Sequence, residues 1–339
     1  MEEAKMNRMG LCLLNFANRL YSYFSIAKNQ FGGVHDRNMQ GTQDVTFVEL
    51  FDQDANDYVD NLLSKGAPCM IAKFGTIELN YLTQFRIIKE GGYKGDEIKR
   101  FIRGKLPKID MDDAIDRLIR NAGFFPRDLS LGNKFYKEYL WAMRQVDVLG
   151  SYWPYESVFN IEMPSAKRIN IDGYLSPYFW NNPWTRHLKG KKVLVVHPFA
   201  EDIQKQYTEN KNRIWKDPDL LPEFELITYK AVQSILGIKT EFSSWFDALQ
   251  KMKDDISNID YDVALIGCGA YGMPLTAHCK TMGKQAIHMA GSLQILFGVI
   301  GTRWENNPKV APMINEYWVR PSVQNVPKNA KKIENACYW

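Results

Sequence analysis

The sequence predicts an α/β fold, a Rossmann-like, mostly parallel sheet with flanking helices and an N-terminal helical segment. Three observations carry that expectation. Residues 193–196 (VLVV) are a continuous β-branched and aliphatic run, the mark of a strand buried on both faces, and 224–229 (FELITY), 262–266 (DVALI) and 285–289 (QAIHM) read as further strands. Stretches with apolar residues at helical spacing separate them. Strand and helix alternating in this order imply crossover connections and parallel pairing.

The elements follow in order. The apolar stretch 9–27 is interrupted by Asn15, Asn18 and Arg19 and lacks a small-residue cleavage site. It reads as an amphipathic helix that packs on the body, or as a surface touching a membrane or a sister subunit. Residues 30–43 (QFGGVHDRNMQGTQ) are a polar linker. Phe47, Phe51, Ala55, Tyr58, Val59 and Leu62 then recur at helical spacing, with Thr46 or Asp44 as the cap. Residues 68–74 (PCMIAKF) form a buried strand closed by Gly75. A helix over 112–121 places Ala114, Ile115, Leu118 and Ile119 on one face, with Asp112 and Asp113 at its positive start. Another over 134–146 aligns Tyr136, Tyr139, Leu140 and Met143. Residues 151–185, dense in Trp, Tyr, Pro and Asn, read as an irregular connector. After the 193–196 strand come helices over 200–215, over the stripe from Phe242 to Ile256, and over 272–282, the last with Pro274 in its first turn and Gly283 past its end. The expected organisation is 1–43 helix and linker, 44–150 N-terminal α/β half, 151–185 aromatic connector, 186–305 Rossmann-like C-terminal half, and 306–339 a tail packing back on the body.

Composition excludes several classes. The 339 residues carry 43 Lys and Arg against 39 Asp and Glu, a net charge of +4, too weak to argue for a nucleic-acid partner. Cysteines at 12, 69, 268, 279 and 337 form no CxxC pair, which argues against a disulfide framework or zinc ribbon and for a reducing, cytoplasmic compartment. Neither a G-x-S-x-G elbow nor a G-x-x-x-x-G-K-[ST] loop occurs, so serine-hydrolase and P-loop ATPase readings lose support.

In parallel sheets ligands bind beyond the carboxyl ends of the strands. Three corners qualify. At the first, Lys73, Phe74, Gly75 and Thr76 are candidates for an anionic ligand, with Lys73 alternatively paired to a core carboxylate. Glu78 there is a general base, a metal ligand, or a helix-start acid complementing the dipole. At the second, His197 moves a proton, donates to a phosphate, or holds its loop. At the third, Gly267-Cys268-Gly269-Ala270-Tyr271-Gly272 is formally G-x-G-x-x-G. Gly267, Gly269, Tyr271 and Gly272 would receive a nucleotide or sugar phosphate, or a dinucleotide, or simply form a tight turn. The next strand ends in His288 with no acid for a ribose, which weighs against NAD. Asp147 lies in an apolar context as an anchor or a site residue. Arg303 clamps a phosphate or forms a surface ion pair. Trp153, Trp180 and Trp184 stack on sugar rings or fill the core.

Residues 71–78 (IAKFGTIE) resemble the "RFGDGE"-type signature of bacterial glycosyltransferases of the GT-D fold. Residues 190–196 (GKKVLVV), and 262–267 (DVALIG) followed by 283–287 (GKQAI), are similar to later strands of that family. The stretches NAGFFP (121–126), IGCGAYG (266–272), AGSLQILFG (290–298) and the CYW ending resemble uncharacterised proteins of capsule and lipopolysaccharide gene clusters. A few short motifs spread over roughly 45–339 carry the resemblance. It implies a GT-D-like cytoplasmic glycosyltransferase moving a sugar from a nucleotide-sugar donor to a surface glycan, capsule or lipopolysaccharide. Glu78 would be the acid–base or ribose-contacting carboxylate, the 267–272 loop would take the diphosphate, and Trp153 and Trp184 would hold the acceptor. A lipid-linked acceptor would place 9–27 at the inner face of the membrane. The family's Asp-x-Glu pair stands here as Thr76-Ile77-Glu78, and threonine is a poor ligand for a hard cation. No cofactor is firmly expected, and a Mn or Mg dependence is doubtful. Without a metal, Lys73, His197, Arg303 and the amides of 267–272 would carry the positive charge. A non-catalytic binding or scaffold protein of the same pathway is the alternative, an NAD-dependent enzyme the third; oligomeric state stays open.

Overall fold

Among the described residues seven short strands form one sheet: Cys69–Ala72 (β1), Val148–Ser151 (β2), Lys167–Asn170 (β3), Lys192–His197 (β4), Glu225–Lys230 (β5), Val263–Ile266 (β6) and Gln285–His288 (β7). Their order is β3-β2-β1-β7-β6-β4-β5 and every pairing is parallel, not merely most. The computed structural model describes residues 47–332 and 336–339. The expected helix at 9–27 and the linker lie outside them; the helix expected from Phe47 begins instead at Asp52, with Phe51 at its N-cap position and no side-chain cap, so the expected cap at Thr46 or Asp44 is set too early in the chain.

Helices Asp52–Ser64 (α1), Thr76–Lys89 (α2), Asp96–Ile102 (α3), Met111–Ala122 (α4), Gly132–Met143 (α5), Ala200–Ile214 (α6), Trp245–Ser257 (α7) and Gly272–Thr281 (α8) connect the strands, with shorter turns between. Met70, Ala72, Leu149, Leu194, Val196, Ala264, Ile266 and Ala286 point to one face, beneath α2, α4, α5, α7 and α8. Cys69, Ile71, Val148, Ile169, Val193, Val195, Val263, Leu265 and Ile287 point to the other, covered by α1, α6 and the C-terminal segment. Both faces are covered, so the central strands read as unbroken aliphatic runs.

The 151–185 connector departs from expectation. It contains β3, an edge strand paired to β2 from Val148↔Lys167 to Ser151↔Asn170. Lys-Arg-Ile-Asn carries one aliphatic residue, so hydrophobicity does not betray it. The short β2 was likewise not expected. Helix α4 matches its forecast closely. The Asp110 side chain accepts from the Asp113 amide at 3.2 Å, and Gly123, at φ +82°, ends the helix in the left-handed conformation glycine adopts freely.

The order of strands matters for the site. β1 opens one run outward through β2 to β3, and β7 closes the other run, so the two halves of the chain join at the β1–β7 pair. Among the described residues no helix is long and apolar enough to cross a membrane.

Candidate functional site

The first corner lies on that joint. Beyond β1, Lys73, Phe74 and Gly75 lead into α2, whose N-cap, Gly75, offers no side chain. Glu78, in the first turn, folds back instead. Its carboxylate covers Gly75 so closely that a Cβ there would overlap it, and it accepts its own amide N–H. Burial pushes the Glu78 carboxyl above the usual carboxylate range; its own amide and the Lys73 charge oppose this.

Tyr152, just past β2, ties the corner together. Its hydroxyl donates to the Phe74 carbonyl at 2.8 Å and accepts from Lys73 Nζ at 3.4 Å, and the ammonium lies 5.2 Å from the ring centroid. Glu156 holds this segment in place. Its Oε1 accepts the amides of Tyr152 and Trp153 at 3.0 and 2.9 Å. Its Oε2 is buried without a hydrogen bond, with Arg168 Nη1 at 3.9 Å. Burial raises the Glu156 carboxyl to about 7.

From β7, His288 donates its Nδ1–H to the Lys73 carbonyl at 3.1 Å, since a carbonyl only accepts. Beyond it Ala290 adopts φ +49°, a conformation that costs a residue with a Cβ about 1 kcal/mol. Gly291, next in line, lies against the Tyr338 ring so closely that a Cβ would overlap it. Arg303 stacks on that ring at 4.9 Å and donates to its hydroxyl at 3.3 Å. Burial, then the charges of Glu156 and Glu78, push the Tyr152 phenol well above its ordinary value, while Arg303 pulls it down. Tyr152 thus touches Lys73, Phe74 and Glu156, and its phenol feels the charges of Glu78 and Arg303. Two cations, each on a tyrosine face, beside a buried carboxyl can bind an anion and move a proton.

Of the residues singled out from sequence, Lys73, Gly75, Thr76, Glu78 and Arg303 share this end of the molecule, and Thr76 is exposed. The Phe74 side chain does not face a ligand. It is fully buried against Phe159, with only its carbonyl turned to Tyr152. Trp153 is half-buried against Tyr152 and Tyr155 at the flank. Trp184 is a core residue, fully buried, with Nε1 donating to the Tyr174 carbonyl at 2.8 Å.

The 267–272 loop is closed as a phosphate cradle. All but Gly269 are buried. A Cβ at Gly267 would overlap the Ala290 carbonyl, and one at Gly272 the His288 ring; one at Gly269 would come 3.0 Å from the Ala122 carbonyl. Tyr271 stacks on Trp245 at 5.1 Å and meets the Ser234 hydroxyl at 3.1 Å. The three glycines therefore serve close packing. His197 is buried too. Its Nδ1 accepts the Phe199 amide at 3.0 Å and burial pushes its pKa down to about 3, so it holds its loop as a neutral imidazole. Asp147 lies before β2, at the amino end of the sheet. It accepts the Met70 amide at 2.7 Å and pairs with Lys280 at 2.7 Å, which makes it an anchor and not part of the site.

The donor set does not fit a hard divalent cation. Among the described residues no group of three or more His, Cys, Asp or Glu side chains could hold a metal. Glu78 is turned onto its own amide beside the charge of Lys73, with Thr76 where a second acid would stand.

Sequence reasoning missed Tyr152, Glu156 and Tyr338. Recognising β2 would have pointed to Tyr152 through the carboxyl-end rule. Tyr338 is visible in the sequence only as part of the CYW ending.

No family model and no curated protein matches the chain. Among solved structures it is similar to one described as "A New Glycosyltransferase (DUF1792) from Streptococcus sanguinis". The identity is 10% and the TM-score 0.35, over 82% of this chain and 96% of that one.

Proposed function

We propose that this chain is a glycosyltransferase-like enzyme, taking a sugar from a nucleotide-sugar donor and adding it to a glycan or lipid-linked acceptor of a bacterial surface polymer. The observation that supports this reading is that Lys73 is bonded to Tyr152 at the carboxyl edge of the sheet, where the charges of Arg303 and the buried Glu78 carboxyl also act on the Tyr152 phenol. In the reaction the acceptor oxygen bonds to the anomeric carbon as the bond to the diphosphate breaks. Lys73 and Arg303 neutralise the departing diphosphate, and Glu78 takes the acceptor proton. Trp153 offers a ring at the flank for a sugar. No step is assigned to a metal.

One observation favours the second reading, a binding protein without turnover: the Glu78 carboxylate is engaged by its own amide over Gly75. An NAD-dependent enzyme loses its main support because the glycine loop is packed shut.

Thermal-shift titration with UDP, GDP, CMP and NAD, with and without manganese, tests these readings. Stabilisation by one nucleoside diphosphate, lost in Lys73→Ala and Arg303→Ala, is the expected result, and stabilisation by NAD alone overturns the proposal. Glu78→Gln should then retain nucleotide binding while donor turnover falls at least about tenfold. Nucleotide binding with no turnover in the native chain would establish the binding protein instead.

A further inference from the structure

Residues 319–331 (VRPSVQNVPKNAK) cross the surface as a tightly anchored segment. Asn325 Nδ2 and the Ser322 amide donate to Asp202 Oδ2 at 2.8 and 3.1 Å, and the Ser322 hydroxyl bonds Oδ1 of the same carboxylate. Trp339 Nε1 donates to the Asn325 carbonyl at 2.9 Å. Arg320 is held by a main-chain oxygen of Trp339 at 2.7 Å and by Glu305. These bonds fix the backbone, so the side chains that leave it have a set direction.

Those side chains are apolar and cationic. Val323 is 89% exposed at the start of a short helical turn, with Val319 at 38% and Val326 at 37% on either side. Lys328 and Lys331 are exposed and make no ion pair among the described residues. Beside them lies an open hollow of about 790 Å³ lined by Pro321, Val326, Pro327, Trp339 and both lysines, among others. Aliphatic groups held outward on an ordered turn, bordered by exposed lysines, match the boundary between headgroups and acyl chains of an anionic bilayer: apolar tips enter it and ammonium groups meet its phosphates.

The geometry points to this segment as a docking surface for an anionic lipid membrane. Thr302 and Trp339 line the hollow, while Arg303 and Tyr338, next to them in sequence, belong to the candidate site. Docking here would bring that site close to the lipid surface. The inference stands whether or not the chain transfers sugars, because its test reads partition and not turnover.

The full chain is sedimented with vesicles of phosphatidylcholine alone and of phosphatidylcholine with about a third phosphatidylglycerol, at low and high salt. Binding only to the anionic vesicles, weakened by salt, is expected. Val323→Asp should lower the partition about tenfold, and the Lys328→Glu, Lys331→Glu pair by more than about fivefold per lysine. All three positions are exposed, and an unchanged melting temperature verifies that the variants fold. Absence of binding, equal binding to neutral vesicles, or variants that bind like the native chain would overturn the inference. So would a concentration-dependent dimer that Val323→Asp abolishes, which would assign the surface to a second copy of this chain.

Discussion

The Tyr152 hydroxyl donates to the Phe74 carbonyl at 2.8 Å and so fastens the end of β2 to the corner where β1 passes into α2. The same oxygen meets the Lys73 ammonium. One phenol therefore sets the positions of a cation and of the turn that carries Glu78.

Tyr152→Phe removes that donor and leaves the Phe74 carbonyl unsatisfied. The expected loss of stability is about 1–2 kcal/mol, measured by denaturant unfolding. Nucleoside-diphosphate affinity should fall with it, as Lys73 loses its tether. Unchanged stability would show that the bond is not made in solution.

Glu156 gives the protein a pH dependence of definite sign. Burial lifts its carboxyl from the ordinary 4.5 to about 7 in the folded chain. The folded state then binds more protons than the unfolded one between those values, so this group's stabilisation is complete below 4.5 and is lost as pH rises through 7. Glu156→Gln should shift the stability difference between pH 8 and pH 4.5 upward by on the order of 3 kcal/mol. Chemical unfolding at the two pH values measures it.

The buried histidines act in the opposite sense. Burial pushes His197 and His288 down to about 3 from 6.5, so both stay neutral when folded and charge when unfolded. Their contribution is present above 6.5 and is lost as pH falls toward 3. Replacing both by Gln should flatten the decline in stability between pH 6.5 and 4, followed by melting temperature against pH. An equally steep decline would place the imidazoles in water.

Gly267→Ala separates packing from ligand binding. The new methyl meets the Ala290 main-chain carbonyl, which cannot swing aside as a side chain does. Destabilisation of roughly 1–3 kcal/mol is expected, without a specific loss of nucleotide affinity in the folded fraction. Loss of affinity at full stability would restore the loop as a phosphate cradle.

Asp147→Ala removes the acceptor of the Met70 amide and the partner of Lys280. A cost of about 1–3 kcal/mol is expected from the orphaned donor, with unchanged nucleotide affinity by calorimetry. A selective loss of affinity would return Asp147 to the site.

The C-terminal strands β4, β5, β6 and β7 were legible in the sequence almost to the residue, because each is a run rich in aliphatic or aromatic residues and local composition suffices. Helix α4 was legible for the same kind of reason, since its stripe and its terminal acids are local signals. Glu78 and Lys73 were legible as candidates because a strand ending in glycine before an acid marks a corner. Strand β3 was not, because Lys-Arg-Ile-Asn owes its conformation to pairing with β2 and not to its own side chains. The spacing of Gly267, Gly269 and Gly272 predicted a turn but could not say what the missing side chains make room for. Only folding brought Ala290, Ala122 and His288 against them. Tyr152 and Tyr338 come from distant parts of the chain and share a site because β1 pairs β2 on one side and β7 on the other, with the C-terminal segment packed back beside β7. Periodicity and composition report which face of an element is buried. Which neighbour buries it, and so whether a polar group is an anchor or a reagent, is decided by contacts between segments remote in sequence.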